Sequence, residues 1–440
     1  MLAPLVMTLA LSSSAAVAGQ AADPPDALLA LVEGQARRIE ALEARLAALQ
    51  QEVAQLRQPP VTPAVAPPEA PAVPADIDRE AKSDLIDHAF AGKPPTDAVP
   101  EGPEADLPQA ELIDSYGSLR VIAALDTDGY REIRNNSSRL GIRGSKRLTD
   151  GIEAFGRLEV GANLVNTDRA ILTGGDPGVP IGQGSQAFFS RLGFVGLDTG
   201  IGSFAWGKQW SAYYDVAVFT DQFPFWSGVA TGAFAAGTDG GISGTGRAEN
   251  ALQYREARGP ASVALQMQSR GSSPNDQSWA DVWGGSAVFG RHQGFSLGAA
   301  YNEVRDGVEN PNPNQPKLGD QAAIFGLRYR ADRFYAATTL AISEQHEVDD
   351  LGRRFDGTGF EIALRYYASD QLAFEAGYND LRPDSDHPGD FRLRFGVGYV
   401  VYNFGGGSRV FGGFKWEDSR NSDGSKRFSS AFATGLNYTF

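Results

Sequence analysis

The sequence predicts an all-β fold: a sixteen-stranded antiparallel transmembrane β-barrel, preceded by a short α-helical coiled coil and a Pro-rich linker. Three observations carry that expectation. Apolar and polar residues alternate with a period of two from Tyr116 to the C-terminus. The connections between the alternating segments are by turns short and long. A heptad repeat is confined to the N-terminal region. Past the first dozen residues, no apolar run approaches the about 18 that a helical span requires, so membrane residence has to use strands.

Composition narrows the function classes. The 440 residues include no Cys, which excludes disulfides and thiolate metal sites and suits an oxidising compartment. A net charge of −15 speaks against nucleic acid as a partner. That charge is unevenly placed, however: residues 1–111 hold 7 of the 39 basic and 17 of the 54 acidic residues, and so −10 of the total.

Taken from the N-terminus, residues 1–18 read as a signal peptide. Residues 2–11 form an apolar core, and Ala16, Val17 and Ala18 form a cleavage pattern that leaves Gly19 first in the mature chain. The basic segment that usually precedes such a core is missing, since no Lys or Arg occurs before Arg37. Residues 28–58 read as the coiled coil. Val32, Ile39, Leu46 and Val53 take position a, Leu28, Leu42, Leu49 and Leu56 take d, and Gln35 is the one break. Arg38 facing Glu43 and Glu52 facing Arg57 favour parallel helices, and such a bundle offers a contact to a periplasmic or cell-wall partner. Residues 59–111 are a Pro-rich acidic linker, with seven Pro from Pro59 to Pro74, within which residues 76–90 can form a short helix capped by Asp76.

The barrel is expected over residues 112–440. Across residues 152–160 the even positions are apolar or Gly and the odd ones mostly charged. Leu140 and Ile142 oppose Arg139 and Arg143, and Phe325 and Leu327 oppose Arg328 and Arg330. Near the end, Leu393 and Phe395 oppose Arg392 and Arg394, and Phe414 and Trp416 oppose Lys415 and Glu417. Short turns near residues 150, 200, 259, 292, 332, 370 and 406 alternate with longer loops near 131–137, 165–185, 211–246, 269–277, 302–320, 345–356, 380–390 and 418–426. Sixteen strands enclose a lumen too wide for side chains to fill, which makes the barrel a water-filled channel.

Several stretches in order resemble the Gram-negative general porins: Asn-Ser-Ser-Arg-Leu-Gly-Ile-Arg-Gly at 136–144, Phe-Val-Gly-Leu at 194–197 and Gly-Ser-Phe-Ala-Trp-Gly-Lys-Gln at 202–209. Tyr214-Asp215, Thr220-Asp221, Gly246-Arg247 and the terminal Phe440 extend the likeness. The resemblance implies a homotrimer in outer-membrane lipid, passive diffusion of small hydrophilic solutes, and a third loop, here residues 211–246, folded inward as a constriction. On it, Arg139, Lys208 and Arg247 fall where the family places wall cations, with Arg120 a fourth. Asp221 falls on one loop carboxylate, and Phe225 stands where a second would be.

The inward parity of the strands adds Arg143, Arg157, Arg255, Arg328, Arg330, Arg365, Arg392, Arg394, Arg409 and Lys415 to a lumen wall that carries fewer acids, chiefly Glu153, Glu159, Glu249, Glu361, Glu375 and Glu417. Mild anion preference is expected, because a low-dielectric wall focuses the field of its own charges. Three competing readings are a substrate-specific porin for a small anionic solute, a structural envelope anchor acting through the coiled coil, and a barrel hydrolase. The last has little support. Gly294-Phe295-Ser296-Leu297-Gly298 matches a nucleophile elbow but alternates as a strand, where the motif needs a strand-to-helix turn. Gly200 to Ala205 matches a dinucleotide fingerprint but opens a strand. The four His (His88, His292, His346 and His387) have no ligand spacing and are expected in loops. No catalytic residue, metal or cofactor is expected.

Overall fold

A computed structural model describes residues 112–440 apart from 164, 166–186, 235–238, 242, 271–277, 291–292, 307 and 309–320. The signal peptide, coiled coil and linker expected over residues 1–111 lie outside the described residues. In chain order the strands are β1 (Leu112–Asp126), β2 (Arg131–Asn135), β3 (Arg139–Thr149), β4 (Ile152–Ala162), β5 (Phe188–Thr199), β6 (Gly202–Trp210), β7 (Arg247–Arg258), β8 (Ala261–Gln268) and β9 (Val282–Gly290). They continue with β10 (Gly294–Val304), β11 (Gln321–Ala331), β12 (Phe334–Val348), β13 (Arg354–Tyr367), β14 (Leu372–Pro383), β15 (Leu393–Gly405), β16 (Ser408–Glu417) and β17 (Ala431–Thr439). Each strand pairs antiparallel with its neighbours in one sheet, and β1 closes on β17 from Ser118↔Thr439 to Asp126↔Ala431. Both β2 and β3 pair with β1, so they are two halves of one barrel strand and the closed count is sixteen.

Closure leaves no unpaired edge, which is what strands in lipid require. The outward positions are apolar and exposed, among them Leu140, Ile142, Leu158, Leu265, Phe325, Leu327, Phe414 and Trp416. Between them, Arg139, Glu159, Gln266, Arg328, Arg330 and Lys415 face inward. No helix among the described residues is long and apolar enough to cross a membrane.

Two loops and one strand differ from expectation. The first loop is a tight turn at residues 127–130, because the Asp126 carboxylate accepts the N–H groups of Asp128 (3.0 Å) and Tyr130 (2.8 Å). The polar run expected as a loop at 131–137 is instead β2 and a break at 136–138, with Ser137 at φ +60°. The sixth loop shrinks to residues 349–353 as β12 and β13 extend toward each other. In β15 the expected phase is reversed: Phe395 is 1% exposed and faces inward with Val397, Tyr399 and Val401, while Val400 and Tyr402 are exposed. Arg392 and Arg394 therefore leave the lumen wall and sit at the loop end of the barrel, paired with Asp418 (2.6 Å) and Asp380 (3.3 Å).

Candidate functional site beneath the third loop

The third loop leaves β6 and runs along the inner face of the barrel. Its first turn is the short helix α1 (Tyr214–Ala217), started by a hydrogen bond from the Tyr214 N–H to Ser211 Oγ (2.9 Å). The Asp215 carboxylate on α1 accepts two bonds from Arg255 Nη1 (2.8 and 2.7 Å) and one from Ser286 (2.7 Å). Burial pushes the Asp215 carboxyl up, and Arg255 and Ser286 offset only part of that.

What lets the loop lie so close is a set of inward-facing glycines. Val216 and Phe219 pack onto Gly298 and Gly326, where an added Cβ on Gly326 would stand 2.8 Å from both side chains. Further along, a Cβ on Gly377 would collide with the Phe223 ring, and one on Gly359 with the Ala230 carbonyl. Wall side chains then satisfy the loop backbone, as buried polar groups require. Tyr335 donates to Phe219 O (2.6 Å), Arg365 to Gln222 O (2.7 Å) and Asn136 to Pro224 O (2.9 Å). Glu361 accepts the Ala230 N–H (2.8 Å), His346 Nε2 lies 2.7 Å from Gly232 O, and Tyr399 donates to Phe225 O. His346 is thus a strand residue holding the loop, where a loop residue was expected. His387 does lie in a loop, 3.2 Å from Asp349, and the two remaining His lie outside the described residues.

At the tip, Phe225 and Trp226 are buried against the apolar inner face of β15 and β16. The Arg134 guanidinium lies 4.6 Å from the Phe225 ring and Lys415 Nζ 5.5 Å from the Trp226 ring. Trp226 holds φ at +55°, a conformation a bulky residue adopts only when its surroundings over-determine it. Phe225 accordingly packs into the wall and also borders the cavity beneath the loop.

The opposite wall, from β3 to β7, carries the charge. Glu159 accepts from Arg191 Nε (2.7 Å), Arg157 Nη2 (3.0 Å) and the Tyr116 hydroxyl (2.9 Å). Lys208 Nζ reaches Asp239 on the returning limb of the loop (2.8 Å), and Arg247 Nε lies 3.8 Å from the same carboxylate. Burial raises the Asp239 carboxyl, but Arg247 and Lys208 outweigh it and hold the group below its usual range.

Two of these cations face inward only because the strands are irregular. Val195 and Gly193 set a phase that would turn Arg191 outward, but β5 shifts register opposite Glu159/Val160 and turns it in. On β6, Phe204 and the exposed Trp206 set a phase that would turn Lys208 outward. Opposite Lys208 the partner strand β7 carries one extra residue between Ala248 and Ala251, and with Gly207 at φ +127° and Asn250 at φ +51° this irregularity brings Lys208 and Trp210 into the lumen.

Of the expected constriction residues, Arg120, Arg139, Arg247, Asp221 and Phe225 line one cavity of about 850 Å³ that runs from beneath the loop to the turns at 368–371 and 404–408. Lys208 lies apart from it in its pairing with Asp239. Arg191, Arg333, Arg365 and Arg409 bring the lining arginines to seven, against Asp221, Asp370 and Glu375 as the acids. Asp221 accepts a bond from the Tyr214 hydroxyl (2.5 Å) and Glu375 one from Arg365 (2.6 Å). Elsewhere on the wall, Arg143 pairs with Asp114 (3.0 Å), while Arg328 and Arg330 lie over the rings of Phe219 (4.6 Å) and Tyr335 (5.4 Å). Arg191 and Asp239 were not among the expected site residues. Ser296 is an inward position within β10 that accepts from Arg328 (3.0 Å), not a residue on a strand-to-helix turn.

A closed sixteen-stranded barrel with an apolar outside, a charged inside and a loop laid along its inner wall is a transmembrane channel of the outer-membrane type. The sequence matches the Gram-negative porin family over residues 114–422, and the chain belongs to that family as an outer-membrane porin. It is 25% identical over 353 residues to the outer membrane porin protein OmpD of Salmonella typhimurium, covering 74% of this chain and 91% of that one. It is 26% identical over 241 residues to outer membrane porin N of Escherichia coli, covering 51% and 60%. Among solved structures, OmpF of Salmonella typhi in complex with daunomycin shares the fold with a TM-score of 0.61 at 19% identity, over 75% of this chain and 100% of that one. The anion-selective porin from Comamonas acidovorans shares it with a TM-score of 0.55 at 15% identity, over 75% and 100%.

Proposed function

We propose that this porin is a general diffusion channel for small hydrophilic solutes, narrowed by its third loop and mildly anion-preferring, and that it works as a homotrimer. The observation that carries the reading is the cavity beneath the loop, whose lining holds seven arginines and three acids. An excess of fixed cations on a low-dielectric wall draws anions from solution, and exposed charges more than a Debye length of about 8 Å from the lining are screened. Asp239 and Glu159 temper the preference by neutralising part of the wall. In the same reading residues 1–18 are a signal peptide, residues 28–58 a periplasmic coiled coil able to touch the cell wall or a partner, and residues 59–111 a linker. Residues 112–440 conduct. No reaction is assigned to the chain.

The test is single-channel recording in a planar bilayer. We expect stable current steps and a reversal potential on the anion side in a tenfold KCl gradient, shrinking as the salt rises toward 1 M, where the Debye length is about 3 Å. Deleting residues 222–232 is expected to enlarge the step, since the tip is what reaches across to Asn136. A cation-side potential at low salt would overturn the selectivity, and an unchanged step in the folded deletion variant would overturn the narrowing.

A further inference from the structure

The cavity beneath the third loop has a second chemistry beside its charge. Trp210 and Tyr214 stack with ring centroids 4.0 Å apart, and the Phe234 ring stands edge-on to both, at 6.4 Å and 5.9 Å. All three line the cavity, and Trp210 and Phe234 are only half-buried. Trp210 is the register partner of Arg247 across β6 and β7, and the guanidinium lies 5.7 Å from its ring centre. Arg247 is 1% exposed, yet its Nε and Nη1 are buried without a hydrogen bond. Asp239 Oδ2, 3.8 Å from that Nε, is too distant to accept one. The nearby Arg139 likewise has a buried Nε without an acceptor.

We infer that this corner of the lumen is a discrete binding site for aromatic monocarboxylates, with the carboxylate received by Arg247 and Arg139 and the ring laid against Trp210 and Phe234. The inference rests on the anion-preferring reading of the channel and sharpens it to a class of solute. The unmatched N–H groups account for the carboxylate. A buried guanidinium with two nitrogens lacking acceptors carries a desolvation cost that the oxygens of an anion lessen. The aromatic walls account for the ring. Indole and phenyl faces take a flat ring in offset or edge-on contact, which an aliphatic acid as small as acetate cannot supply. The local balance favours an anion: Arg139, Arg191 and Arg247 line this part of the cavity, while Glu159 pairs with Arg191 and Asp239 with Lys208 beside it. The cavity, at about 850 Å³, is of the size that holds small organic ligands.

The experiment records chloride current through the full-length protein in a planar bilayer while benzoate or acetate is added at equal ionic strength. We expect benzoate to reduce the current saturably, with a half-effect concentration about tenfold below that of acetate, the factor one good aromatic contact supplies. Trp210→Ala and Phe234→Ala, made separately so that either can carry the result if the other does not insert, are each expected to bring the two acids within about threefold of one another. Equal effects of benzoate and acetate in a channel that still prefers chloride over potassium would overturn the aromatic site and leave the anion preference standing. A channel that prefers potassium and responds to neither acid would overturn both.

Discussion

The two halves of the barrel wall handle buried charge in different ways. From β8 to β17 the register shifts only near strand ends, at Ser343/Glu347 and Asn403/Gly405, and four inward cations are matched close at hand. Arg365 meets its register partner Glu375 at 2.6 Å, Lys415 meets Glu417 two residues on at 2.6 Å, and Arg328 and Arg330 lie on aromatic rings. That half is then covered by the third loop. From β2 to β7 the wall is broken at 136–138 and shifted at Arg191 and at Gly207, and the cations it gathers outnumber the acids they meet. Strict alternation seals a wall, whereas a bulge adds a side chain to the face that regular pleating would have denied it. Three of the seven arginines that line the cavity, Arg139, Arg191 and Arg247, stand on this less regular stretch.

The largest effect that bears on this contrast is expected on the regular side. Glu417→Gln leaves the fully buried Lys415 ammonium without its counter-charge, which costs on the order of 3–5 kcal/mol. The temperature at which the folded oligomer dissociates on a gel should fall accordingly, with little change in ion selectivity. A large selectivity change with unaltered stability would mean that Lys415 belongs to the aqueous path after all.

A smaller effect is expected at the bulge. Gly207 adopts φ +127° and an added Cβ there would collide with the Gly193 carbonyl, so Gly207→Val strains the backbone by about 1–3 kcal/mol or straightens β6. If β6 straightens, Lys208 turns outward and anion preference drops. A variant of full stability and unchanged reversal potential would show that the bulge does not position the cation.

How much of this was legible follows from the same contrast. The barrel, its strand count and its outward apolar face followed from alternation, and Arg139 and Arg247 were found because they stand in stretches that resemble porins. Lys208 was found by that likeness alone, since alternation from Phe204 and Trp206 would have sent it into lipid. Nothing in the residues near Arg191 marks the register shift that turns it inward, because a bulge is settled by the partner strand β4. Asp239 escaped notice because which loop carboxylate meets the wall depends on the path of the loop through the lumen. Arg392 and Arg394 were misplaced for the opposite reason: an alternation read at the end of a strand carries no information about where lipid stops.

The smallest expected effect is that of pH. Asp239 is held below the ordinary aspartate value near 3.8 by Arg247 and Lys208 against the pull of burial. A carboxyl depressed in the folded state contributes stability above its ordinary value and loses it as the pH falls through its folded value. The Asp239 contribution to selectivity should therefore stay constant down to about pH 4 and move selectivity further toward anions only below that, as the group takes up a proton. Asp239→Asn should show the increased anion preference already at pH 7. A midpoint above pH 5 in the intact protein would point to a different titrating group.

The account's central claim is that the cation cluster on the irregular wall sets the sign of the channel's selectivity. It is tested most directly by the reversal potential, in a tenfold KCl gradient at low salt, of the triple variant Arg139→Gln, Arg191→Gln, Arg247→Gln beside the intact protein. With the three guanidinium charges removed and Glu159, Asp221 and Asp239 retained, the potential should move from the anion side to zero or beyond it. A triple variant that inserts, conducts and keeps the anion preference of the intact channel would contradict the claim.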